Sequence, residues 1–79
     1  MKRIKKSLLD IFVINKVKEY RIKHKMTQAD LAFKMGVSYG FIGKIESLNY
    51  STKFNLSHIN KLAKIFNCSP KDFLPDKPI

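Results

Sequence analysis

Apolar residues recur at helical spacing in four stretches of the chain, each bounded by residues that start or stop helices. The first runs from Ser7 or Asp10 to Lys25, with Phe12 or Val13, then Val17, Tyr20 and, at its edge, His24 on the inward stripe. The run Ile11 to Ile14 complicates it, because β-branched side chains crowd a helix and favour strands. A start near Val13 with an extended lead, or a dimer contact made by the surplus apolar residues, are the alternatives. In the second stretch Leu31 and Met35 share a face with Ala32 beside Leu31. Thr27 can cap this helix with its side-chain oxygen, and Gly36 can take the positive φ that ends it. Ser38 is a second cap candidate, opening a helix to Glu46 whose stripe is Phe41, Ile42 and Ile45. The fourth stretch, from Leu56 or Ser57 to Asn67, carries Ile59, Leu62, Ala63 and Phe66.

A shorter fifth helix is expected after it. Ser69, Pro70 and Asp72 supply a cap, a proline at the first helical position and an acid at the third. Phe73 and Leu74 are expected to close the core, and Pro75 to end the helix. Met26 is expected to plug the core, and Cys68 to lie in it. Between Ser47 and Asn55 lies a polar loop from which Leu48 and Phe54 are expected to tuck back. The pattern predicts an all-α, compact five-helix domain. Its second and third helices are joined by only about three to four residues, so they meet at a steep angle, as in a helix-turn-helix.

Burying Phe41, Ile42 and Ile45 leaves Tyr39, Gly40, Gly43, Lys44 and Ser47 facing out. The major groove is wide enough for such a helix and shows a distinct donor and acceptor pattern for each base pair. Lys44 can donate to guanine, and Tyr39 can donate from its hydroxyl or pack on a thymine methyl. Gly40 and Gly43 put little side chain on that face, which suits a close approach of backbone to groove and thin direct readout. Specificity then leans on few contacts, on the loop after Glu46, or on DNA shape.

Thr27, Gln28, Leu31, Ala32, Gly36, Val37, Ser38, Ile42, Ile45 and Glu46 stand as T-Q-x-x-L-A-x-x-x-G-V-S-x-x-x-I-x-x-I-E. This resembles the signature of the phage-repressor-like family of Cro/cI or Xre-like transcription regulators, over residues 12 to 74. The resemblance implies a lambda-repressor-like DNA-binding domain. It implies that Tyr39, Gly40 and Lys44 reach base edges. It also implies that Gln28 holds a phosphate and braces the recognition helix, and that Arg21 and Glu46 form a partly buried ion pair between the first and third helices. The loop after Glu46 departs from the family pattern: it is longer and lacks the usual glycine.

The 79 residues carry 16 Lys and Arg against 6 Asp and Glu, a formal charge of +10. That points to a polyanion, and nucleic acid is the usual one. Ser38, Lys25, Lys34, Ser47, Asn49, Tyr50 and Lys53 are the further phosphate candidates. Lys2, Arg3, Lys5 and Lys6 form a basic arm over residues 1–10, which lies along phosphates or is a solvated terminus. Residues 11–75 are the expected DNA-binding domain and 76–79 a short tail. So small a domain gains from dimerisation. A homodimer on double-stranded DNA would set its two recognition helices about 34 Å apart.

The remaining features narrow the function by exclusion. One cysteine, Cys68, allows no internal disulfide and suits a reducing cytoplasm. Ile11 to Ile14 is too short to span a bilayer. Asp10 interrupts the apolar stretch and no cleavage site follows, so export is rejected and the expected location is cytoplasmic. Cys68, His24 and His58 stand on separate elements without ligand spacing, and no phosphate-loop or dinucleotide fingerprint is present. No enzyme, cofactor, metal, membrane or small-molecule ligand is therefore expected. The rival function is a protein-interaction module such as an antitoxin.

Overall fold

The computed structural model describes residues 5–79. Lys2 and Arg3 of the expected arm lie outside them. The described residues form four α-helices, α1 Leu8–Lys23, α2 Gln28–Met35, α3 Phe41–Glu46 and α4 Leu56–Phe66, and contain no strand. The expected fifth helix is instead a single 3-10 turn, Pro70–Phe73. Its start is as expected, with Ser69 and Asp72 capping each other's backbone N–H groups. Leu74 then turns extended at φ −105°, ψ 150°. The following Pro75 disfavours helical backbone at that residue, so only one turn forms.

Helix α1 has no extended lead. The Asp10 N–H donates to Ser7 Oγ at 3.0 Å and the Ser7 N–H to Asp10 Oδ2 at 3.1 Å, a reciprocal cap of the first turn. That cap, with burial of Val13, Ile14 and Val17, outweighs the strand preference of the Ile11–Ile14 run. Residues 8–10, expected within the arm, are therefore helical. Burial pushes the Asp10 carboxyl up, but the Ser7 hydrogen bonds and the Lys53 charge hold it below its ordinary value.

Three helices end alike. Lys25, Gly36 and Asn67 take left-handed φ of 57°, 72° and 54°. After each helix two N–H groups turn back onto its last carbonyls, as Met26 to Arg21 at 3.0 Å and Val37 to Ala32 at 3.0 Å illustrate. Gly36 meets that geometry without a Cβ penalty; Lys25 meets it with one.

The core lies between the four α-helices and the 3-10 turn, around Val17, Leu31, Ala32, Met35, Ile42, Leu62, Phe66 and Phe73. Val13 faces it, whereas Phe12 lies under the Lys16 ammonium. Met26, Tyr20, Phe54 and Cys68 pack at its edge. Burial pushes the Cys68 thiol up, away from the reactive thiolate. His24 is exposed, yet its ring lies 5.0 Å from that of Phe66. Leu48 and Leu74 do not enter the core; they are 50% and 44% exposed. Phe73 fills the inward position beside Leu74, which therefore points away.

Candidate nucleic-acid interface

Helix α2 starts at a reciprocal cap between Thr27 and Asp30, with bonds of 2.9 and 3.0 Å. Ala32, buried, leaves room for α3 to cross close by. The connection is the left-handed Gly36, then Val37 and a turn. Ser38 is not the cap of α3. Its carbonyl accepts the Phe41 N–H at 3.1 Å, closing a single i to i+3 turn, and the α-helix begins only at Phe41. Gly40 occupies the cap position with no side-chain bond, at φ −83°, ψ −2°.

Ile42 and Ile45 anchor α3, both essentially inaccessible. Phe41 is half-buried, its ring centroid 5.2 Å from that of His58. Ser38, Tyr39, Gly40 and Lys44 are exposed. Gly43 is not the open outward position that helical spacing suggests. A Cβ there would stand 3.3 Å from Gln28 Oε1, so this glycine makes room for the Gln28 side chain.

Gln28 belongs to a polar node that grips the end of α3. Its Nε2 donates to Glu46 Oε1 at 3.0 Å. Arg21 donates from Nε to Glu46 Oε2 at 3.0 Å and from Nη2 to Oε1 at 3.1 Å, and from Nη1 to the Met26 carbonyl at 2.8 Å. Both charged side chains are nearly buried. One carboxylate thus ties α1, α2 and α3 together through charge-assisted bonds.

The loop after α3 stays beside it. Lys44 Nζ stands 5.8 Å from the centre of the Tyr50 ring, a cation–π contact. The Asn49 N–H donates to Ser47 Oγ at 3.1 Å. Lys53 pairs with Asp10 at 3.5 Å. Lys25 and Lys34 are exposed near the C-terminal ends of α1 and α2. Lys6, expected in the arm, is 7% exposed and directed into the protein. Its Nζ donates to the carbonyls of Lys44, Ile45 and Ser47. No sequence spacing signals that contact. Among the described residues no group of three or more His, Cys, Asp or Glu could hold a metal ion. No described helix is long and apolar enough to cross a membrane.

A family model described as helix-turn-helix matches residues 17–73. The chain belongs to the helix-turn-helix family of Cro/cI- and Xre-like regulators. Members of this helix-turn-helix family are DNA-binding transcriptional regulators, which are not enzymes. An uncharacterised HTH-type transcriptional regulator of Methanocaldococcus jannaschii is 43% identical over 58 residues, 73% of this chain and 85% of that one. One from Archaeoglobus fulgidus is 35% identical over 57 residues, 72% of this chain and 79% of its own. Two solved structures share the helix-turn-helix fold. A hypothetical transcription factor from Neisseria has a TM-score of 0.72 at 19% identity, over 85% of this chain and 75% of that one. The restriction-modification controller protein C.AhdI from Aeromonas hydrophila has a TM-score of 0.68 at 23% identity, over 81% of this chain and 94% of that one.

Proposed function

We propose that this protein is a cytoplasmic, sequence-specific binder of double-stranded DNA that represses transcription, with the turn at 38–40 and α3 in the major groove. The observation that carries this reading is the combination at α3. Its inner face and end are held by Ile42, Ile45 and the Arg21–Glu46–Gln28 node, while Tyr39, Gly40 and Lys44 stay exposed. Tyr39 and Lys44 read base edges, and Gly40 lets the backbone come close, while Gly43 admits the Gln28 side chain beside it. Gln28, Ser38, Lys25, Lys34, Ser47, Asn49, Tyr50 and Lys53 supply phosphate contacts, which set register and affinity without reading sequence. Gln28 does so while also bracing Glu46. A homodimer would read a two-fold site with half-sites about 34 Å apart. Repression would follow from occluding polymerase at the bound site.

The test is selection of genomic DNA fragments by the pure protein at about 0.15 M ionic strength, with sequencing of what is retained. An enriched inverted repeat is expected, and a reporter downstream of it should fall when the protein is present. With about six phosphates neutralised, the log–log salt slope of binding would be roughly −5. Retention of random fragments would remove sequence specificity from this reading. No retention would overturn it in favour of a protein-interaction module.

A further inference from the structure

Helix α3 has only one closing backbone bond of its own, from the Ser47 N–H to the Lys44 carbonyl at 3.3 Å. Ser47, which follows it, is extended at φ −91°, ψ 136°, so the left-handed closure that ends the other three α-helices is missing here. The last carbonyls of a helix must still find donors. Lys6 supplies them from far away in sequence. Its Nζ reaches the Lys44 carbonyl at 3.1 Å and lies within hydrogen-bond distance of the Ile45 and Ser47 carbonyls. An ammonium has three N–H donors, and here three carbonyls accept them. A cation at the C-terminal end of a helix is also favoured by the helix dipole.

Lys6 is well placed to hold that end steady. It stands immediately before Ser7, whose backbone is fixed by the reciprocal cap with Asp10. Asp10 in turn receives Lys53, at the far end of the loop. Both ends of the segment carrying Asn49 and Tyr50 are therefore fastened to the start of α1: Ser47 by Lys6 and Lys53 by Asp10.

We propose that Lys6 is a positioning residue for DNA recognition: its ammonium locks the C-terminal end of α3 and the start of the loop that follows it, and so sets where Lys44 and Tyr50 stand on the duplex. The inference rests on the DNA-binding reading. Lys6 then acts through α3 and contributes no phosphate contact. Loss of its ammonium should lower affinity for the selected site more than for random duplex, and leave the salt slope unchanged. A lysine on a phosphate would behave otherwise, reducing the slope by about one and weakening all sequences alike.

The test compares wild type, Lys6→Gln and the exposed Lys5→Gln on the selected site and on random duplex across a salt series, well below each melting temperature. Lys6→Gln is expected to lower the ratio of specific to random affinity about tenfold, comparable to one mismatched base pair, at constant slope. A merely structural role would lower both affinities by the same factor and leave the ratio alone, overturning the proposal. So would a slope that falls by about one, which would mark a phosphate contact. Should Lys6→Gln not fold, the wild type decides through the ammonium ¹⁵N–¹H signals of its lysines. A Lys6 signal exchanging with water more slowly than that of Lys5 supports the lock, and equal exchange overturns it. Failure of the wild type to select any DNA would sink the DNA reading itself, a result distinct from selective binding with a freely exchanging Lys6.

Discussion

Helices α2 and α3 are neighbours in sequence and in space, yet their ends are satisfied by different means. Helix α2 has a reciprocal Thr27–Asp30 cap at its start and a left-handed glycine at its end. Helix α3 spans only Phe41–Glu46, has no side-chain cap, and leads into extended backbone. Its end is held by Arg21 and Gln28 on Glu46 and by Lys6 on the carbonyls. An isolated six-residue helix is far below the length that is stable in water. Helix α2, with eight residues, also needs packing, but its ends are specified locally, whereas those of α3 are set by what surrounds it. The surface proposed to meet DNA is then sensitive to residues that do not line it.

The largest expected break in this contrast is Arg21→Ala. It leaves the Glu46 carboxylate nearly buried with Gln28 as its remaining side-chain donor, and loss of one partner of a buried pair costs about 3–5 kcal/mol. Urea unfolding should show a lower midpoint with an unchanged slope. Arg21→Met with Glu46→Met removes both charges and should recover most of that loss, because well-packed apolar replacements of a buried pair are often neutral. A single mutant as stable as wild type would show that α3 does not depend on the node.

Next in size is the cap itself. Thr27→Ala removes the acceptor for the Asp30 N–H and should cost about 1 kcal/mol. Ser38→Ala should stay within about 0.5 kcal/mol, since the Ser38 hydroxyl caps nothing in α3 and only its carbonyl is used. Equal losses in thermal melts of the two variants would mean that α3 has a local start after all.

The same contrast explains what could be read in advance. The ends of α2 were legible because Thr27, Gly36 and the Leu31–Met35 stripe act within a few residues. Arg21 and Glu46 could be paired only through the family resemblance. Lys6 left no trace, since its acceptors lie 38 to 41 residues along the chain and any lysine reads as solvated. Gly43 looked outward because helical spacing ignores a neighbour's side chain, and Gln28 lies across it. A start of α1 at Ser7 is one of the two that the sequence pattern gives, and the Ser7–Asp10 cap spacing selects it, although the β-branched run after them argues for a later one. Ser38 misled because a capping residue type does not decide whether an α-turn or a tighter turn follows.

A smaller effect links α4 to α3 through pH. His58 Nδ1 accepts the Asn55 N–H at 3.1 Å, which requires the neutral ring. Phe41 and Phe54 flank it. Burial, and then the Lys61 charge, hold its pKa below the ordinary 6.5. The unfolded chain therefore takes up this proton first as pH falls. The stability from this site is complete above about 6.5 and is lost as pH falls through the lower folded value. Asp10 and Asp30 are both held below the ordinary carboxylate value, so their losses come at lower pH still. The melting temperature should fall between pH 7 and 5 in wild type. It should fall less in His58→Gln, which keeps an acceptor at the cap spacing. Parallel pH profiles would remove His58 from the account.

The smallest expected changes separate the two glycines at and just before α3, Gly40 and Gly43. Gly40 lies in backbone that alanine adopts freely, and nothing stands within 4 Å of an added Cβ. Gly40→Ala should therefore stabilise the free protein by about 0.5 kcal/mol, mainly by restricting the unfolded chain. Gly43→Ala gains helix preference as well, but the new Cβ presses on Gln28 Oε1 at 3.3 Å and strains its bond to Glu46, so the net change should be near zero. On DNA the order of merit reverses. If α3 reads the groove by close backbone approach, the methyl group at Gly40 meets the duplex with nothing to absorb it, and affinity for the selected site should fall although the free protein is more stable. Thermal melts and binding titrations on the same preparations read the two quantities separately. A Gly40→Ala variant that is both more stable and equally tight on its site would mean the groove is read by Tyr39 and Lys44 at arm's length, with the backbone held back from the bases.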